Sequence, residues 1–159
     1  MKHSDNGRLR PGGGYGRLVL DNDAFFADVE ALLSGGHSVT VAAQGSSMVP
    51  FVAGGRDMVV LQRTSGVGVG DIVLARVPGH GYVLHRVYRT FGGELILMGD
   101  GNVERTELCR RGDVVGKAVR IVRRGRTIDC GSRTERLMAA CWRRLLPLRR
   151  ELLWVIRRL

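Results

Sequence analysis

Ser47 lies in Gly45-Ser46-Ser47-Met48-Val49-Pro50, and His85 lies in Val83-Leu84-His85-Arg86-Val87. A serine hydroxyl is a weak nucleophile at neutral pH and becomes effective only beside a base. An imidazole titrates near working pH, so His85 is suited to take the Ser47 proton. An extended run from His37 to Ala43 breaks at Gly45 and is halted by Pro50, which places the Ser47 hydroxyl on an irregular turn. A nucleophile would sit in such a place.

The other polar residues suggest plainer roles. His3 belongs to a polar tail, His37 opens a strand and His80 occupies a hairpin tip, so each reads as solvated. Ser46, beside glycine, reads as a turn hydroxyl. Lys117 is the rival base, because the only other lysine is Lys2; a lysine base needs a pKa strongly lowered by burial. Cys109, Cys130 and Cys141 are odd in number and widely separated, without metal-ligand spacing. They predict no disulfide framework, no metal site and no cofactor, and a reducing compartment.

The elements that must position Ser47 and His85 follow from periodicity and punctuation. Residues 1–20 contain Pro11 and Gly12-Gly13-Gly14 and read as a flexible tail. Residues 21–131 read as one β domain with a short leading helix. Asp21 or Asn22 caps that helix, Phe25, Val29, Leu32 and Leu33 share its apolar face, and Gly35-Gly36 ends it. Strands are expected over Asp57 to Leu61, Ile72 to Val77, Tyr82 to Tyr88, Glu94 to Met98 and Val114 to Arg123. Period-two geometry puts Val83, His85 and Val87 on one face and Leu84, Arg86 and Tyr88 on the other. From Ser132 the pattern turns helical. Residues 132–159 read as a basic amphipathic arm that Pro147 divides, with Leu137, Cys141, Leu145, Leu148, Leu152, Val155, Ile156 and Leu159 forming its apolar side. The fold class is mainly β with flanking helices, α+β.

Five segments carry a family resemblance: Gly45-x-Ser47-Met48-x-Pro50, Gly70-Asp71-Ile72-Val73, Leu84-His85-Arg86-Val87, Gly99-Asp100-x-Asn102 and Val114-Val115-Gly116-Lys117. In order and spacing the stretch from Val39 to Val122 resembles the superfamily that joins type I signal peptidases to the self-cleaving repressors of phage and the SOS response. Gly45-x-Ser47-Met48 is similar to the repressor branch. The His-Arg-Val strand is similar to archaeal and endoplasmic-reticulum signal peptidases, in which histidine replaces the lysine base. The resemblance implies a coiled β-sheet peptidase domain and a serine endopeptidase that cleaves an extended leader- or signal-like peptide through an acyl-enzyme. It also implies that Ser47 N–H, helped by the Ser46 hydroxyl, stabilises the oxyanion, since Gly45 stands where bacterial signal peptidases have a serine. Two carboxylates are candidates to support His85. Asp100 matches the superfamily motif, and Glu107 lies near where the histidine-type enzymes carry their orienting acid.

The net charge of +10 is almost wholly arginine. Arginine binds phosphate well, yet codon bias also explains a global arginine excess. The arm is a separate matter, because arginine opposite leucine and tryptophan suits the surface of an anionic membrane as well as it suits a solvated helix covering the domain. No cleavable signal and no span of about twenty apolar residues is evident, so the expected location is cytoplasmic, peripheral at a membrane. The expected partner is a peptide or protein substrate; no specific nucleic acid is expected. Two other functions compete with the peptidase: a catalytically silent relative that binds peptides or partners, and a basic nucleic-acid-binding protein supported by charge alone.

Overall fold

In a computed structural model, which describes residues Asn22–Leu159, the chain forms eight strands and three α-helices. The tail expected over residues 1–20 lies outside the described residues. Helix α1 spans Asn22–Ser34. The strands are β1 Val39–Ala42, β2 Asp57–Gln62, β3 Ile72–Val77, β4 Gly81–Phe91, β5 Glu94–Met98, β6 Thr106–Arg110, β7 Val114–Arg123 and β8 Arg126–Asp129; α2 Arg133–Arg144 and α3 Arg149–Ile156 follow. The strands pair antiparallel in the order β1-β2-β7-β3-β4-β5-β6, with β8 also on β7, in a curled half-barrel. The expected α+β class therefore holds in its general form: mainly β, with helices at its flanks.

Strand β3 runs through the middle of the sheet and is dry on both faces. Ile72 and Leu74 join one apolar cluster with Val41, Met48, Val52, Val59, Leu61 and Ile121. Val73, Ala75 and Val77 join a second, with Val87, Leu95, Leu97 and Cys109. A strand covered on both sides reads as a continuous apolar run, as Ile72-Val73-Leu74-Ala75 does. Strand β4 alternates between the same clusters, with Tyr82 and Leu84 packed on the first and Val83 and Val87 on the second. His85 is buried between those two valines.

Both helical regions depart in part from the buried stripe their sequence suggests, α1 keeping Val29 and Leu33 inward. In α1 the inward residues are Phe26, Val29 and Leu33, whereas Phe25 and Leu32 face outward, 38% and 49% exposed. Positions 26, 29 and 33 follow the three- and four-residue steps of a single helix face, and Leu32 lies off its edge, about a sixth of a turn beyond Val29. In the C-terminal arm the inward residues are Ala139, Trp142, Arg149 and Leu153, while Leu137, Met138, Leu145 and Leu148 lie exposed. The division expected at Pro147 is present as a single 3₁₀ turn, Leu146–Leu148, between α2 and α3. No helix among the described residues is long and apolar enough to cross a membrane.

Candidate functional site

Ser47 occupies a loop that folds back on itself between β1 and β2. Gly45 adopts φ +70°, a left-handed conformation that favours glycine, and its carbonyl accepts from Gly54 N–H at 2.9 Å. Within the loop Val49 N–H donates to Ser46 O at 3.2 Å and Val52 N–H to Met48 O at 2.9 Å. Met48 and Val52 are buried, which anchors the loop on the first cluster. Ser47, immediately before Met48, is half-buried and Ser46 is exposed.

A second loop presses on this one. Gly101 N–H donates to Ser47 O at 2.8 Å, and Asn102 N–H closes the turn onto Gly99 O at 3.0 Å. A Cβ at Gly99 would collide with the Ser47 carbonyl, and one at Gly101 with the Ser46 carbonyl. Both glycines are thus required by backbone packed on backbone, and this contact fixes the height of the serine. The Ser47 carbonyl is taken. Its N–H and Oγ form no hydrogen bond with another described residue, so the N–H can serve as the expected oxyanion donor.

Strand register sorts the two carboxylates. Val87 pairs with Leu97 and Leu97 with Glu107, so Glu107 on β6 shares the sheet face of Val87 and hence of His85. Glu107 Oε2 lies 2.7 Å from His85 Nδ1, and both side chains are nearly inaccessible, 4% and 9% exposed. With Nδ1–H donating to the carboxylate, Nε2 is the nitrogen free to accept a proton. Arg86 pairs with Met98, and Asp100 stands two residues further on, on the same side. Asp100 accordingly receives Arg86 Nε at 2.9 and 3.1 Å and Nη2 at 2.7 Å. It does not meet His85; the structure brings Glu107, not Asp100, to the imidazole.

Ser47 and His85 line one cavity of about 250 Å³, together with Ala42, Gln44, Met48, Tyr82 and Leu84. No hydrogen bond joins Ser47 Oγ to His85 among those of the described residues; such contacts are often long in a free enzyme and tighten with substrate. The cavity runs between two open strand edges. β1 ends the sheet order, and β4 pairs with β5 only from Arg86 onward, so residues 81–85 lack a neighbour on that side. Ala43 turns both its backbone groups to the β2 side, bonding Asp57 O and Gly55 N, and Val87 turns both of its own to Gly70 and Asp71. Because backbone direction alternates along a strand, Ala42 and Leu84 direct their N–H and C=O groups into the gap from opposite sides.

Lys117 lies elsewhere. It is 3.4 Å from Asp71 and lines a separate cavity of about 240 Å³ with Asp71, Arg86, Cys130 and Arg136. Asp71 also accepts from Gly68 N–H at 2.9 Å and Arg136 at 3.2 Å, so it is both a turn residue and an ion-pair centre.

Sequence reasoning missed the brace behind the site. Trp142 Nε1 donates to Asp100 O at 2.9 Å, Arg149 Nη1 to Asn102 O at 3.1 Å and Arg157 Nη2 to Gly101 O at 3.2 Å. The C-terminal arm therefore holds three successive carbonyls of the loop that seats Ser47. Arg149 is buried against Trp142, and that burial lowers its pKa from the ordinary arginine range. A buried arginine is an unlikely inference from any amphipathic pattern, and no local signal marks it. Cys109 and Cys130 are buried enough to raise each thiol to about 11; no cluster of metal-ligating side chains occurs among the described residues. Compared with known proteins, the chain matches no family model and no curated sequence.

Proposed function

We propose that this protein is a serine endopeptidase of the signal-peptidase and repressor-peptidase type, acting on an extended leader- or signal-like peptide. The observation that carries the reading is the buried His85–Glu107 hydrogen bond beside the cavity that Ser47 lines. Glu107 orients the imidazole and stabilises the imidazolium. His85 Nε2 takes the Ser47 proton as Oγ attacks the scissile carbonyl, and the Ser47 N–H receives the developing oxyanion, with Ser46 as the nearby hydroxyl. His85 then returns the proton to the leaving amine, and water hydrolyses the acyl-enzyme by the same route.

An extended substrate fits the gap between Ala42 and Leu84, where it would complete the sheet through backbone bonds on both sides. The apolar lining, including Met48 and Leu84, suits an uncharged side chain near the cut. A second reading, a silent peptide-binding relative, draws on the same gap and on the absence of a closed Ser47–His85 hydrogen bond. Incubation with a peptide library, followed by mass spectrometry of the products, separates the two. Cleavage by the native protein that disappears in a folded Ser47→Ala variant supports the peptidase; binding without cleavage in both supports the silent relative.

A further inference from the structure

We propose that the outward surface of the two C-terminal helices docks on an anionic lipid bilayer. The inward surface is already occupied, with Ala139, Trp142, Arg149 and Leu153 buried on the β domain. The outward one is left apolar to an extent a solvated helix does not require. Leu137 is 66% exposed, Leu148 57%, Trp154 56% and Val155 49%, and Met138 and Leu145 lie among them. On α2 the outward positions 133, 137, 141 and 144 combine Leu137 and Cys141 with Arg133 and Arg144. On α3 Trp154 and Val155 are outward with Arg158, whose guanidinium lies 3.7 Å over the Trp154 ring.

Charge identifies the occupant. Residues 133–159 contain arginine at 133, 136, 143, 144, 149, 150, 157 and 158 against glutamate at 135 and 151. Arg136 and Arg150 have carboxylate partners and Arg149 is buried. Arg133, Arg144 and Arg158 have no salt bridge among the described residues and sit beside the exposed leucines and tryptophan. A second copy of the chain on this face would bring those arginines toward one another. A nucleic acid would satisfy them but leave the leucines without apolar cover. A bilayer of anionic headgroups over acyl chains satisfies both, with the helices lying in the interface plane. Arginine stems cover apolar surface while their heads reach phosphate.

The test is independent of catalysis and uses the full chain. Sedimentation with phosphatidylcholine vesicles, with and without phosphatidylglycerol, should show at least tenfold tighter binding when the anionic lipid is present, weakened by added salt. Leu137→Glu combined with Leu148→Glu should weaken binding to the anionic vesicles at least tenfold, and so should Arg133→Glu with Arg144→Glu. All four positions are exposed, and unchanged circular dichroism and melting temperature check the fold. Because Trp142 is buried, lipid should blue-shift the fluorescence of Trp154, and Trp154→Phe should remove that shift. Equal binding to neutral and anionic vesicles, no binding to either, or binding indifferent to the leucine changes would overturn the proposal. A dimer that the leucine changes dissolve would also overturn it, by assigning the face to a second copy.

Discussion

His85 and Arg86 are neighbours on β4 that point to opposite faces, and each is held by a carboxylate at 2.7 Å, Glu107 for the first and Asp100 for the second. Their geometries are alike and their chemistries opposed. The imidazole has a second nitrogen with which to accept and return a proton. The guanidinium has donors only and stays charged at any working pH. One pair borders the open cavity beside Ser47; the other joins β4 to the loop that supports Ser47 and is closed over by Phe51, whose ring lies 4.7 Å from the Arg86 guanidinium carbon. On the proposed reading, a buried acid beside a base is thus a reagent on one side of the strand, and it is a rivet on the other. The partner and its access to the cavity decide which.

The largest effect should come from removing the reagents themselves. Ser47→Ala and His85→Ala are each expected to lower kcat/KM for peptide cleavage at least about a thousandfold with the fold intact. The double variant should be little worse, since groups that act as one unit are not additive. Peptide turnover by a folded Ser47→Ala protein at the native rate would end the assignment.

Exchanging the two carboxylates for amides breaks the comparison most directly. Glu107→Gln should cost on the order of a hundred- to ten-thousandfold in kcat, because the amide no longer stabilises the imidazolium, with a small change in melting temperature. Asp100→Asn should instead destabilise the protein by about 3 kcal/mol, since it leaves a largely buried Arg86 without its counter-charge. Denaturant unfolding and initial rates on both variants read the two effects separately. If Asp100→Asn costs more activity than Glu107→Gln at equal stability, the roles are reversed.

Asp57 extends the rivet class and adds a pH signature. Burial alone would raise its carboxyl, but hydrogen bonds from Arg56, Arg123 and Ala53 N–H outweigh burial and hold it far below the ordinary range. A carboxyl that binds its proton less readily in the folded state contributes its full stability above the unfolded aspartate pKa, about 3.9, and loses it as pH falls below. Asp57→Asn should therefore cost about 2 kcal/mol at pH 7, and the gap to the native protein should narrow in unfolding curves below about pH 4. A gap that widens on acidification would contradict this sign.

The smallest effect concerns the wall behind Glu107. Cys109 lies two residues along β6, on the same buried face, and its thiol is pushed up to about 11 by that burial, as is that of Cys130. At pH 8 each should be about a thousandth thiolate, so iodoacetamide should label the exposed Cys141 first by a wide margin. Rapid labelling of Cys109 would mean that the face carrying His85 and Glu107 is wet.

The legible parts of the fold are those where pattern and burial agree. β3, β5 and β7 fall where apolar alternation and glycine punctuation place them, and β4 runs longer at both ends than expected, Gly81–Phe91 against Tyr82 to Tyr88. Strands β6 and β8 leave little trace. In Thr106-Glu107-Leu108-Cys109-Arg110 the glutamate faces in and the leucine is 53% exposed, the reverse of an ordinary edge strand. That inversion is the reason the partner of His85 could be named as a candidate but not chosen. Asp100 was the more attractive acid by motif, and only the Arg86–Met98 register reveals why it faces away. In the arm the helical period is plain and its orientation is not: Trp142 turns inward because its N–H has a carbonyl to meet, and Arg149 follows it with hydrogen bonds to Asn102 O and Trp142 O.

That brace also sets an order of assembly. Residues 133–157 leave the ribosome after every strand of the sheet, so the carbonyls of Asp100, Gly101 and Asn102 meet their donors last. Until then the turn that seats the serine lacks its backing, while the strands around it can already pair. A nascent chain would thus expose a formed sheet before a fully backed Ser47 loop, and the moment of completion would be timed by translation of the helical arm.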